Sequence, residues 1–182
     1  MLFTAEKLSS IEDSRLDDIG CQLVHGLKLP ANADLAIDFP AVVGAYSKNP
    51  VAESRLKKSK GLCIPGRSEQ FIIWAGDVVA GMSTIVRFNS VPSNVPPDTP
   101  SSSGFVFNPW RRKGAGLFTL EVHLDESAAN FNGGIWTAVR KTNSASQGLS
   151  AKAGFVPVDE NWSVFEEGDS IAFYCPPEGN RP

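Results

Sequence analysis

Only two histidines, His25 and His123, occur in the 182 residues, about a hundred residues apart and too few for a histidine-rich metal centre. A zinc or di-iron site is therefore not expected. Cysteine is scarce as well: Cys21, Cys63 and Cys175 are odd in number, far apart and without a C-x-x-C pair. That pattern argues against a disulfide framework and points to a reducing compartment, the cytoplasm. No run approaches the roughly 20 apolar residues that cross a bilayer, and the opening MLFTAEK reaches Glu6 and Lys7 before an apolar signal core can form. Neither a membrane nor a secretory route is expected. The G-x-S-x-G elbow and the G-x-x-x-x-G-K-[ST] loop are also missing, which removes two common hydrolase and nucleoside-triphosphate signatures. Nor is there a basic surplus: 17 Lys and Arg against 20 Asp and Glu leave a net charge of −3, and nucleic acid is disfavoured as a partner.

What is present is ordinary for a globular domain: 42% hydrophobic, 20% charged and 9% aromatic residues, with 16 Gly and 13 Pro outside periodic tracts. The length reads as one domain over residues 1–182, whose core needs no metal or disulfide staple. Residues 2–8 read as a first strand. Ser9 or Ser10 offers an N-cap for a helix carrying Ile11, Leu16, Ile19, Leu23 and Leu27, and a looser helical stretch lies within 40–58. The two β-rich runs of 70–88 meet at Gly76-Asp77, a tight hairpin turn. A Pro- and Ser-rich loop at 89–103 leads to a strand at 104–108, then helix 114–130, strand 134–141, helix 143–153, strand 154–158 and strand 170–175. Strands and helices mixed in this order argue for an α/β (mixed α+β) domain.

The chemistry concentrates in FVFNPWRRKGAGLF, residues 105–118, where a strand, three basic residues and two glycines open a helix. Glycines at such a turn let backbone N–H groups converge on an anion, and the helix N-terminus adds partial positive charge. Thirty residues later Asn143, Ser146, Leu149, Lys152, Gly154 and Phe155 fall at the spacing N-x-x-[AS]-x-x-L-x-x-K-x-G-F. With Arg111-x-x-Gly114-x-Gly116, this resembles the GNAT superfamily of acetyl-CoA-dependent N-acetyltransferases. The two motifs span residues 104–156.

The resemblance implies a central mixed sheet of about six to seven strands, with helices on both faces and with strands 4 and 5 splayed to admit a pantetheine arm. It implies acetyl-CoA as co-substrate, without a metal, and a primary amine as acceptor; a homodimer is compatible with it. Arg111, Arg112, Lys113, Gly114, Ala115 and Gly116 map onto the pyrophosphate loop, Val106 and Phe107 onto the strand that pairs with pantetheine, and Asn143 and Lys152 onto the second motif. Asn143 is equally a plain helix N-cap. Two departures bear on this. Pro109 precedes Arg111 by one residue fewer than the family pattern, so either Arg111 or Arg112 is the phosphate partner. Ser150 stands where the family often carries a tyrosine that protonates the departing thiolate, and a serine hydroxyl is a far weaker acid. That leaves Ser150, a bound water, Tyr174 or unassisted departure as alternatives.

For the base, Glu121 lies four residues after Leu117 and three before Leu124, near an apolar stripe where burial would raise its pKa. His123 reads as a packed or surface histidine, and the four tryptophans as core or sheet-face aromatics, with Trp110 well placed to flank a cofactor. Asp159, Glu160, Glu166, Glu167 and Asp169 form an acidic segment, and Glu166 and Glu167 are its candidates for attracting a cationic acceptor. Two rival readings stay open: a non-catalytic acyl-CoA-binding or sensing module on the same fold, and a structural or nucleotide-binding domain whose glycine turn holds another anion.

Overall fold

The hairpin anchors the architecture. Ser68–Ala75 (β2) and Val78–Val86 (β3) are joined by the Gly76–Asp77 turn, and Phe3–Lys7 (β1) pairs antiparallel with β2 from Phe3↔Ala75 to Lys7↔Phe71. Phe71, Ile72, Ile73, Val79 and Ala80 are all buried, so the apolar run replaces simple alternation. This is a computed structural model, and it describes residues 2–26, 50–162 and 169–178. The remaining strands are Ser101–Val106 (β4), Ile135–Arg140 (β5), Val156–Trp162 (β6) and Ser170–Cys175 (β7). The helices are Leu16–Gly26 (α1), Pro50–Lys60 (α2), Ala115–Asn130 (α3) and Ser144–Lys152 (α4). The hydrogen-bonded strand order is β1-β2-β3-β4-β5-β7-β6, mostly antiparallel with a parallel β4–β5 pair at Ser101↔Trp136. Seven strands in a mixed sheet fall within the six to seven that the resemblance implied.

The described residues divide into two compact units. One comprises Met1–Ile64, Glu69–Thr84 and Gly104–Gly116; the other comprises Pro65–Ser68, Ile85–Ser103 and Leu117–Pro182. In the first, α1 starts at Leu16 rather than near Ser10, because Leu8–Ser10 and Asp13–Arg15 form separate 3-10 turns. The serines serve other partners: Ser10 Oγ donates to the Lys7 carbonyl and Ser9 Oγ to Glu69 Oε2. Leu16, Ile19 and Leu23 are buried as their spacing predicts, whereas Leu27 lies outside the described residues. Pro50 opens α2, where its missing N–H costs nothing. The Lys60 ammonium ends that helix by donating to the Ile11 carbonyl and Asp13.

In the second unit β4 begins three residues before the expected Gly104. Ser101 and Ser102 are buried, and the polar groups of Ser102 are matched: Thr137 Oγ1 donates to the Ser102 carbonyl, and Ser102 Oγ lies 2.7 Å from His123 Nδ1. The Pro-rich excursion before it is folded on itself, since Val95 N–H donates to Pro92 O, Thr99 N–H to Pro96 O, and the Trp136 indole to Thr99 O.

The buried stripe of α3 is Thr119, Leu120, His123 and Ser127, rotated away from the Leu117–Leu124 line. Ser127 Oγ donates to the Gly134 carbonyl and so is buried without loss. His123 is fully buried, and desolvation pushes its pKa down from 6.5 to about 4. The unfolded chain therefore binds a proton below pH 6.5 that the native state refuses until about pH 4. Stability that is complete above pH 6.5 should fall by ~3 kcal/mol on acidification through that window. In His123→Asn, whose amide oxygen can replace Nδ1, chemical denaturation between pH 7 and 4 should lose that share of the slope. An unchanged slope would place the acid sensitivity elsewhere.

Candidate functional site

The basic turn of the first unit is built by the sequence around it. Asn108–Trp110 forms a 3-10 turn with Pro109 near its start, and residues 111–114 then bend into α3. Arg112 and Gly114 have φ of 60° and 98°, while Lys113 between them does not. Alternation of ordinary and positive φ makes a concave backbone that binds anions. The Arg111 N–H donates to Phe107 O and Asn108 O, and the Lys113 N–H to Trp110 O at 3.4 Å. The N–H groups of Arg112, Gly114 and Gly116 have no acceptor among the described residues. Of the main-chain donors expected to hold a phosphate, these three remain available. Arg111, Arg112, Lys113 and Gly114 are exposed, Ala115 is buried, and the first turn of α3 holds no acidic residue to repel an anion.

Gly114 also carries a backbone requirement of its own. A Cβ there would meet only the edge of the Phe3 ring at 3.9 Å, so space is not limiting; φ is. Arg112 holds the same left-handed region as a non-glycine residue, a local strain kept by its surroundings. Beneath the turn Trp110 is 8% exposed, edge-on to Phe3 with centroids 6.3 Å apart, and the Lys113 ammonium stands 5.3 Å over its ring. Trp110 is thus a floor for the loop rather than an exposed flank.

Val106 and Phe107 are placed differently from each other. The Phe107 N–H donates to Ala80 O, and its side chain is buried, so this residue is committed to β3. The Val106 carbonyl accepts from Arg111 Nε at 3.0 Å. Of these two residues, Val106 is the one whose carbonyl lies on the edge of β4 turned away from β3.

In the second unit Asn143 is the N-cap of α4, its Oδ1 accepting the Ser146 N–H at 3.2 Å. Lys152 is exposed in the last turn of that helix. Ser150 is 3% exposed, and its carbonyl takes the N–H groups of Ala153 and Phe155, which closes the helix. Burial of this kind favours a packing role. Glu121 is exposed on α3, so the burial invoked for a general base is absent; the stripe it was assigned to faces elsewhere. Glu166 and Glu167 lie outside the described residues. Of the rest of the acidic segment, Asp159 Oδ1 accepts the Asn161 N–H and Asp169 accepts from Ser170 Oγ.

The residues that sequence reasoning passed over are Tyr174's partner and the Ser102–His123 pair. Gly134 lacks a Cβ where the Tyr174 ring lies: a Cβ would stand 2.8 Å from the phenol oxygen. Burial, and the neighbouring Cys175, hold the Tyr174 pKa above its ordinary value. Cys21, Cys63 and Cys175 are free, and burial pushes the Cys63 thiol up to about 11. No helix among the described residues is long and apolar enough to cross a membrane, and no metal-holding cluster of His, Cys, Asp or Glu occurs among them.

No protein-family model matches the chain, and neither does any curated protein. Solved structures do. RimL, a ribosomal L7/L12 alpha-N-protein acetyltransferase in complex with coenzyme A, is 12% identical with a TM-score of 0.65 over 97% of this chain and 96% of its own. An acetyltransferase of the GNAT family from Streptococcus pneumoniae is 14% identical, with a TM-score of 0.57 over 95% and 97%. A spermidine N-acetyltransferase chimera from Vibrio cholerae is 14% identical, with a TM-score of 0.58 over 96% and 95%. The chain has the GNAT fold.

Proposed function

We propose that this chain is an acetyl-CoA-dependent N-acetyltransferase, acting as one domain that moves an acetyl or larger acyl group to a primary amine. The observation that carries the reading is the Arg111–Gly116 turn, exposed from Arg111 to Gly114, with three unaccepted N–H groups and positive φ at Arg112 and Gly114, running into a helix with no acid in its first turn. Its residues fit a diphosphate: concave backbone donors, three adjacent cations and a helix N-terminus. The fold supports the rest, because proteins of this fold include a ribosomal protein alpha-N-acetyltransferase and a spermidine N-acetyltransferase. Both act on amines, so the acceptor class is a primary amine, with the acidic segment around Asp159 and Glu160 favouring a cationic one. Asn143, which caps α4 through Oδ1, keeps its amide NH2 for the pantetheine arm.

The chemistry asked of the protein is modest. The neutral amine attacks the thioester carbonyl, the thiol departs, and most of the acceleration comes from holding the two reactants together. Ser150 is too enclosed and too weak an acid to protonate the thiolate, which leaves a bound water, Tyr174 or unassisted departure of a good leaving group. Ser150→Ala should therefore leave kcat within about twofold of wild type, with KM for acetyl-CoA unchanged. A loss of tenfold or more in kcat alone would return the acid role to Ser150.

One specific pair of observations favours a second reading, an acyl-CoA-binding module without turnover: a serine stands in the tyrosine position, and Glu121 is solvated. The two separate in one assay series. Acetyl-CoA should raise the melting temperature where ATP and NAD do not. Free thiol released over a panel of polyamines, aminoglycosides, amino acids and peptide N-termini identifies an enzyme. Binding without thiol release over the whole panel supports the module, and equal shifts with ATP, NAD and acetyl-CoA would defeat both.

A further inference from the structure

Arg111 occupies the backbone acceptor that a pantetheine amide would use. Phe107, just past the end of β4, turns its N–H toward β3, where it meets Ala80 O at 2.9 Å. Successive residues of a strand present their backbone groups to opposite edges, so the Val106 carbonyl belongs to the other edge. Arg111 comes back over five residues to donate Nε to that carbonyl at 3.0 Å. A carbonyl has a second lone pair, but a guanidinium bonded to it through Nε crowds the approach of another donor. The bond uses one of five N–H donors, and among the described residues the two Nη groups have no acceptor. They are exposed and ready for a doubly charged oxygen cluster, for which a guanidinium fork is suited.

Lys113 is held differently. Its ammonium rests over the Trp110 ring and touches no backbone acceptor of β4. Two cations of one turn therefore have distinct tasks: either can meet a phosphate, but only Arg111 also covers Val106.

We infer that Arg111 is a specificity residue that masks the Val106 carbonyl and is drawn off by a ligand's phosphates, so that pantetheine pairing is available chiefly to thioesters carrying the coenzyme A diphosphate. The inference rests on the coenzyme A reading above. A charge-assisted bond to phosphate is stronger than one to a neutral carbonyl, so a phosphorylated ligand moves the guanidinium at a net gain. A pantetheine derivative without phosphates must break the Arg111–Val106 bond and offers nothing in return. The residue thus discriminates by masking as well as by attraction.

The test is a pair of affinities measured by calorimetry for coenzyme A and for pantetheine, on the wild type, R111A and K113A. R111A should bind coenzyme A about tenfold more weakly and pantetheine about threefold more tightly. K113A should weaken coenzyme A and leave pantetheine unchanged. R111M, which keeps the stem and loses every donor, should repeat the R111A pattern and serves if R111A does not fold. Coenzyme A binding to the wild type, combined with pantetheine affinity that is unchanged or weaker in both Arg111 variants, would overturn the masking role alone. Failure of the wild type to bind coenzyme A at all would overturn the functional reading beneath it.

Discussion

Gly81→Ala is expected to cost about 4 kcal/mol of folding stability, a large share of the roughly 5–15 kcal/mol that holds a domain folded. Gly81 sits in β3 where β4 passes closely: a Cβ at that position would fall onto the Phe105 carbonyl oxygen, with the Val106 Cα at 3.1 Å. Both neighbours are backbone, so no side chain can swing aside. Relief requires β4 to move away from β3, which strains the Phe107–Ala80 hydrogen bond next to it. Overpacking of this kind costs about 1–3 kcal/mol, and a lost buried backbone hydrogen bond about as much again. The consequence reaches function, because the same strand ends in Val106 and feeds the turn at 111–116. Urea denaturation gives the direct measurement. A variant within 1 kcal/mol of wild type would mean that the two strands do not approach as described.

The second large effect is on binding. Gly114→Val should abolish the rise in melting temperature produced by acetyl-CoA, a loss of at least about a hundredfold in affinity, while far-UV circular dichroism stays native-like. At φ 98° the glycine lies where a β-branched residue is strongly disfavoured. A valine would drive the turn toward negative φ and turn the Arg112, Gly114 and Gly116 N–H groups away from a common point. Three charge-assisted bonds to one anion, at about 1.5–3 kcal/mol each, amount to far more than a hundredfold. Because a Cβ at 114 meets only Phe3 at 3.9 Å, Gly114→Ala should behave as a milder version, limited by φ rather than by collision. Undiminished binding by the valine variant would remove the phosphate from this turn.

The contrast between these two glycines shows where sequence reading stops. Gly114 was marked by its neighbours, three cations and a helix start, and its role in a turn was legible, while its positive φ was not. Gly81 stands in an unremarkable strand, and its partner is Phe105, a residue brought beside it only by the sheet.

What the sequence determined by itself is what short-range chemistry controls. Gly76-Asp77 set the hairpin, Asn143 capped α4 three residues before its bonded N–H, and the Arg111–Gly116 segment announced an anion turn. Each of these depends on groups within a few residues of one another. The tertiary structure alone decided the face that α3 buries and the start of β4. Hydropathy favoured Leu117 and Leu124 over Thr119, His123 and Ser127, and it read Ser101 and Ser102 as loop. It counts a polar group as costly because it has no partner in view. Folding supplies that partner from afar: Ser102 for His123, the Gly134 carbonyl for Ser127. A buried polar group that is hydrogen-bonded carries little penalty, so the rule that fails for a lone residue is satisfied for the pair. The orientation of Arg111 was likewise beyond the sequence, since nothing in R-R-K distinguishes the residue that turns back to a carbonyl from the ones that face solvent.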